Sequence, residues 1–135
     1  MMLAWVVCLG FAGEPFPPVC PELKSVLASK DFDQLDHWVR EQQKSDQTDH
    51  AVAQLVRALS EKDAAVRWMA IRTLPQLGLS AGKAMPQVLI ATKDSDSLVR
   101  WAAAEAVRKL APSSPNATDI ILETLKSDDA LVRWS

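Results

Sequence analysis

Val66-Arg67-Trp68, Val99-Arg100-Trp101 and Val132-Arg133-Trp134 stand 33 residues apart in both intervals, and this spacing decides the fold. A period of this length with a repeated tripeptide is the mark of stacked supersecondary units. Laid on that period, Asp63, Asp96 and Asp129 fall in one column, with Leu55, Val88 and Ile121 in another and Val56, Leu89 and Leu122 beside them.

Within each unit the first segment spaces its apolar residues at i, i+3, i+4 and i+7. Val52, Leu55, Val56 and Leu59 do so in one copy, and Met85, Val88, Leu89 and Thr92 in the next, which is one face of a helix. The third copy keeps Ile121, Leu122 and Leu125, with Thr118 in the leading place. After a polar break, Val66, Ala70, Leu74 and Leu77 share one face of a second helix, as do Val99, Ala103, Val107 and Leu110. Asp63, Asp96 and Asp129 sit where a carboxylate accepts from the free amides that open the second helix, so capping is their expected role. Arg67, Arg100 and Arg133 follow four residues later. Each is able to pair with its own Asp or with that of a neighbouring unit, and the bridge between units is the favoured reading. Gly78, Gly82 and the stretch from Pro112 to Pro115 mark unit ends. Pro75 falls inside the second helix of the first unit and predicts its early end or a kink.

The stretch from Lys83 to Leu110, with Ala84 and Pro86, then Asp96 and Val99-Arg100 ahead of an Ala-rich helix, resembles a HEAT repeat of the phycobilisome-lyase-like type. The resemblance covers about two and a half units, from His50 to Ser135. It implies an all-α, right-handed solenoid of antiparallel helix pairs, and the expected role is a scaffold for a protein or peptide, without catalysis and without a cofactor. An alternative implied by the subtype is a protein that attaches or detaches a tetrapyrrole chromophore. A third reading is a piece of a larger multidomain HEAT-repeat protein, because the last unit stops one turn into its second helix. That incomplete unit also suggests end-to-end association.

The expected organisation is then a signal peptide over residues 1–13, a Pro-rich linker over 14–21, a degenerate capping helix pair over 22–49, and repeats over 50–82, 83–115 and 116–135, the last incomplete. Leu3 to Phe11 is apolar and followed by small residues, which reads as export in a bacterium, to the periplasm or beyond. The stretch is too short to span a bilayer, which takes about 20 apolar residues. Without that export the protein would be cytoplasmic. Four Pro between Glu14 and Pro21 rule out helix and strand there. If residues 1–13 are cleaved, Cys8 is lost and Cys20 has no disulfide partner. Lipid attachment at Cys20 is disfavoured by Pro17-Pro18-Val19 before it.

A formal net charge of −2 lacks the cationic excess that phosphate recognition rests on, so nucleic acid is excluded as a partner. His37 and His50 have no Cys or carboxylate at ligand spacing, which leaves no metal site. Iron-binding HEAT-like hydroxylases use His-Glu pairs, whereas here Trp38 and Ala51 follow the two histidines. No phosphate loop or nucleophile arrangement can be assembled, so catalytic residues are absent from the reading.

At about 100° per residue, Trp68 lies roughly 200° from Val66 and off the core face, and Trp101 and Trp134 repeat that placement. Two readings stand. The ladder is repeat-to-repeat packing, with each Trp stacked on the Arg of the next unit. Otherwise it is a recognition strip, with Arg72 and Arg108 beside it. Ile71, Arg72 and Pro75, and likewise Ala104, Glu105 and Arg108, are expected on the same outward side.

Overall fold

A computed structural model describes residues 19–114, 116, 118, 119, 122, 125 and 126, and among these residues every regular element is helical. Over residues 19–114 the α-helices run in the order α1 Pro21–Ser29, α2 Phe32–Lys44, α3 Thr48–Ala58, α4 Ala64–Thr73, α5 Met85–Ala91 and α6 Ser97–Leu110. A 3-10 segment, Leu74–Ala84, joins α4 to α5, and a second, Ala111–Ser113, follows α6. The expected leader falls outside the described residues, as does nearly all of the linker. Asp129, Arg133 and Trp134 also lie beyond them.

Local chemistry sets the boundaries. Pro21 opens α1, where a missing amide costs nothing, and Lys30 closes it in the left-handed region at φ 56°. Asp31 then caps α2 by accepting from the amides of Asp33 and Gln34, each at 3.1 Å, while the Gln34 side chain donates back to it at 2.9 Å. The two described members of the capping column do what their position suggests. Asp63 accepts from the Ala65 amide at 2.9 Å, and Asp96 from Leu98 and Val99 at 2.9 and 3.1 Å.

Pro75 ends α4 early. The helix stops at Thr73, whose buried hydroxyl donates to the Met69 carbonyl at 2.7 Å, and the chain continues as the 3-10 segment. Gly78 turns that segment at φ 73° and ψ −142°, a conformation close to glycine's own region that costs a residue with a side chain about 1–3 kcal/mol. At Gly82 the reason for glycine is space. A Cβ there would lie 2.5 Å from the Ser113 carbonyl oxygen, so only glycine lets the end of the first unit press on the end of the second.

The core follows the repeat faces. Val52, Leu55, Met85 and Val88 of the first helices are buried against Val66, Ala70, Leu74 and Leu77 and against Val99, Ala103, Val107 and Leu110 of the second. Helix α4 is enclosed by α1, α3 and α6, and α6 in turn by α4, α5 and the Leu74–Ala84 segment. Leu23 and Leu27 of α1 are fully buried, which is worth roughly 1.5–3 kcal/mol for each side chain. This enclosure corrects one expectation: Ile71 and Ala104 do not face outward but are buried, Ile71 completely. A helix packed on three sides buries a wider arc than the stripe expected of a surface helix.

The segment before the repeats is tied on by polar contacts as well. Gln54, buried in the middle of α3, accepts from the Cys20 amide at 2.9 Å and so satisfies one of the free donors that open α1. Lys24 of α1 meets Glu61 at 3.0 Å in the turn before α4.

Candidate functional site

Arg67 is a structural staple. Its Nε and Nη2 donate to Asp94 Oδ2 and Oδ1, both at 2.9 Å, as a two-pronged fork that leaves each side chain only 13% exposed. Its Nη1 donates to the carbonyls of Glu61 and Lys62 at 2.9 Å, so one side chain binds the turn of its own unit to the turn of the next. The bridge does run between units, but its partner is Asp94 and not a member of the capping column. Asp96 has turned its Oδ1 to the amides of α6. Asp94, two residues earlier, accepts the Asp96 amide at 2.9 Å and keeps both oxygens toward Arg67. Burial pushes the Asp94 carboxyl up, yet the bonds from Arg67 and from the Asp96 amide outweigh it and hold the group below its ordinary value. Arg100 repeats the inner half of the motif, donating to the carbonyls of Asp94 and Ser95 at 3.0 and 3.1 Å.

The two described tryptophans of the ladder are not equivalent. Trp68 is half-buried. Phe32 meets its ring edge-on, with centroids 6.3 Å apart and planes at 78°, and the Arg72 guanidinium lies 4.7 Å from its centroid. The cation comes from the same helix one turn on, at i+4, rather than from the next unit. Trp68 Nε1 is buried without a hydrogen-bond partner, so the indole is held by its rings' contacts alone. Trp101 has Glu105 at the corresponding i+4 place and stands 46% exposed.

Between α4 and α6 a groove of about 460 Å³ opens, walled by Phe32, Ile71, Arg72, Pro75, Trp101 and Lys109. Phe32 and Trp101 stand at it with nearly half their surface in solvent. A smaller hollow of about 360 Å³ lies on the other side of Phe32 and Trp68, beside Lys30, Asp96 and Leu98. A larger one of about 560 Å³ adjoins the first helices, and no aromatic residue lines it. Aromatic and Arg side chains that are ordered yet open are the groups that anchor partners, so the α4–α6 groove is the candidate site.

Arg108 sits at the far end of α6, where it binds Glu105 at 2.6 Å through Nη2 and 3.2 Å through Nε. Lys109 reaches the same carboxylate at 3.4 Å. The hydrogen bond from Arg108 is the main cause that holds the Glu105 carboxyl below its usual range. His37 and His50 are both exposed, and among the described residues no three metal-binding side chains converge. Phe32 and Lys109 were not singled out by the repeat. Phe32 lies before the first unit, out of its register, whereas the Trp68 and Arg72 pairing at i+4 was open to reading.

No curated protein and no solved structure matches the chain. A family model described as HEAT repeats does match, over residues 52–135, which takes in α4, α6, the capped turns and the Arg67 staple. With that match over more than half of the chain and helices alone among the described residues, the protein belongs to the HEAT-repeat family.

Proposed function

We propose that the chain is a non-catalytic scaffold for protein partners, built as a right-handed solenoid of antiparallel helix pairs of the phycobilisome-lyase-like subtype. The observation that carries this reading is Trp101. It is a large aromatic side chain, 46% exposed, on a helix that buries Val99, Ala102, Ala103, Ala106, Val107 and Leu110, and it borders a groove rather than a flat surface. A Trp in that position exposes apolar area that a monomer gains nothing from leaving in water, while a partner gains by covering it. HEAT repeats commonly mediate contacts between proteins, which is the same class of function. The export reading of the first residues places that partner outside the cytoplasm and rests on the sequence alone.

Replacement of Trp101 tests the proposal. A benzophenone-bearing residue at position 109 records which proteins cross-link to the groove, with and without Trp101→Ala, and Ile90→Ser serves as the control because Ile90 is exposed away from the groove. Loss of a cross-linked protein in Trp101→Ala but not in Ile90→Ser, with helicity unchanged by circular dichroism, supports the groove. Equal cross-linking in all three chains refutes it.

A further inference from the structure

We propose that Arg72 is a receptor for a carboxylate and that the groove beside it takes an extended, acidic segment of a partner protein. The inference rests on the reading of that groove as the docking surface and gives the chemistry of its occupant.

Arg72 is held unlike the other arginines around it. Its guanidinium lies 4.7 Å from the centroid of Trp68 and 5.3 Å from that of Phe32, two rings that meet near a right angle. Stacking of this kind occupies the faces of the guanidinium and leaves its N–H edges pointing elsewhere. Arg67, Arg100 and Arg108 spend their donors on carboxylates or carbonyls of the chain. Among the described residues, no acceptor takes a hydrogen bond from Arg72, and the side chain is exposed at the groove. A planar, always-charged fork whose orientation is already set by two rings loses little further freedom when it binds, which is what bidentate recognition of a carboxylate requires.

The surrounding charge points the same way. The charged residues that line the groove are Arg72, Lys109 and Glu105. Glu105, the one carboxylate, is bound by both Arg108 and Lys109, so it does not answer Arg72. The groove thus presents an unanswered cation in a chain whose overall charge is −2, and the complement of that field is an anion. That the chain as a whole is acidic disfavours a nucleic-acid strand, which needs cations along its length. A second copy would bring the same net negative charge and the same cationic groove. Phe32, Pro75 and Trp101 offer apolar walls on either side of the cation, which suits an acidic side chain next to apolar neighbours in an extended segment.

The test is selection of random peptides displayed on phage against the full chain, against Arg72→Gln and against Trp101→Ala, each checked for helicity. The expected result is that peptides retained by the wild-type chain are enriched in Asp or Glu next to apolar residues. A selected peptide should bind Arg72→Gln roughly 10–100-fold more weakly, the loss of one charge-assisted fork, and should bind less tightly as salt rises. Arg72→Lys, which keeps the charge without the planar fork, should restore only part of the affinity. Peptides without acidic enrichment, or equal affinity for Arg72→Gln, overturn the carboxylate assignment but leave the groove reading intact if Trp101→Ala still weakens binding. Displacement by a single-stranded oligonucleotide, or Trp101-dependent self-association in sedimentation with no peptide retained, also overturns it. Binding indifferent to both Arg72 and Trp101 defeats the groove reading as well.

Discussion

Removal of the Arg67 side chain, as Arg67→Met, should cost more than any surface change in this protein. The Asp94 carboxylate it strands is only 13% exposed and loses two charge-assisted bonds of 2.9 Å. The carbonyls of Glu61 and Lys62 lose their donor too, although water can reach Lys62. Breaking a buried pair on one side costs about 3–5 kcal/mol, and the residual exposure here places the expected loss at the lower end, about 3 kcal/mol. With a urea m-value of about 2 kcal/mol/M, the unfolding midpoint followed by far-UV circular dichroism should fall by about 1.5 M. Asp94→Asn should cost less, because the amide oxygen still accepts the Asp96 amide. The double variant should cost at least 1 kcal/mol less than the sum of the two single changes. Additive losses within about 0.5 kcal/mol would refute the idea that this pair couples the two units. The pH dependence supplies a second reading of the same pair. The folded Asp94 carboxyl lies below its ordinary value of 3.8, so its contribution is fully present above that value and is lost as pH falls through the folded pKa. Asp94→Asn should therefore flatten the acid limb of the stability profile below about pH 4, and an unchanged limb would contradict the cause given for the shift.

Three further outcomes are expected. Gly82→Ala forces a Cβ to within 2.5 Å of the Ser113 carbonyl oxygen, a backbone atom, and should cost about 2 kcal/mol; a Tm within a degree of wild type would show that the close approach is not maintained in solution. Trp68→Phe keeps a ring under Arg72 and removes a buried N–H that has no partner, so it should cost about 1 kcal/mol or less, against about 2–3 kcal/mol for Trp68→Ala. Equal losses in these two variants, measured by urea unfolding, would mean that the indole N–H is satisfied. Asp96→Ala should cost about 1 kcal/mol and more than Asp63→Ala, because Asp96 caps two amides and Asp63 one; the reverse order in Tm would refute the capping account.

Much of the fold was legible before any coordinates. The period of 33 residues, the 3.6-residue spacing of apolar side chains, the capping aspartates and the break at Pro75 are each properties of a residue and its near neighbours in the chain. Such local rules do not depend on what the helix later meets, and Val66, Ala70, Leu74 and Leu77 are buried as that spacing implies. Even the stacking of Arg72 on Trp68 is an i, i+4 relation within one helix.

What packs across units was not legible in the same way. The choice of Asp94 over Asp96 by Arg67 turns on which carboxylate turns both oxygens to the guanidinium once the cap of α6 has formed, a relation between two turns far apart in sequence. The burial of Ile71 follows from the seating of α4 among α1, α3 and α6, which no single-helix pattern contains. The difference between Trp68 and Trp101, identical in the repeat, arises because Phe32 reaches Trp68 from outside the repeat register. Sequence by itself determined the unit, its faces and its ends, since these are set by short-range sterics and hydrogen bonding. Only the tertiary structure decided which copy of a repeated residue is covered and which is open, because that depends on the one neighbour each copy meets.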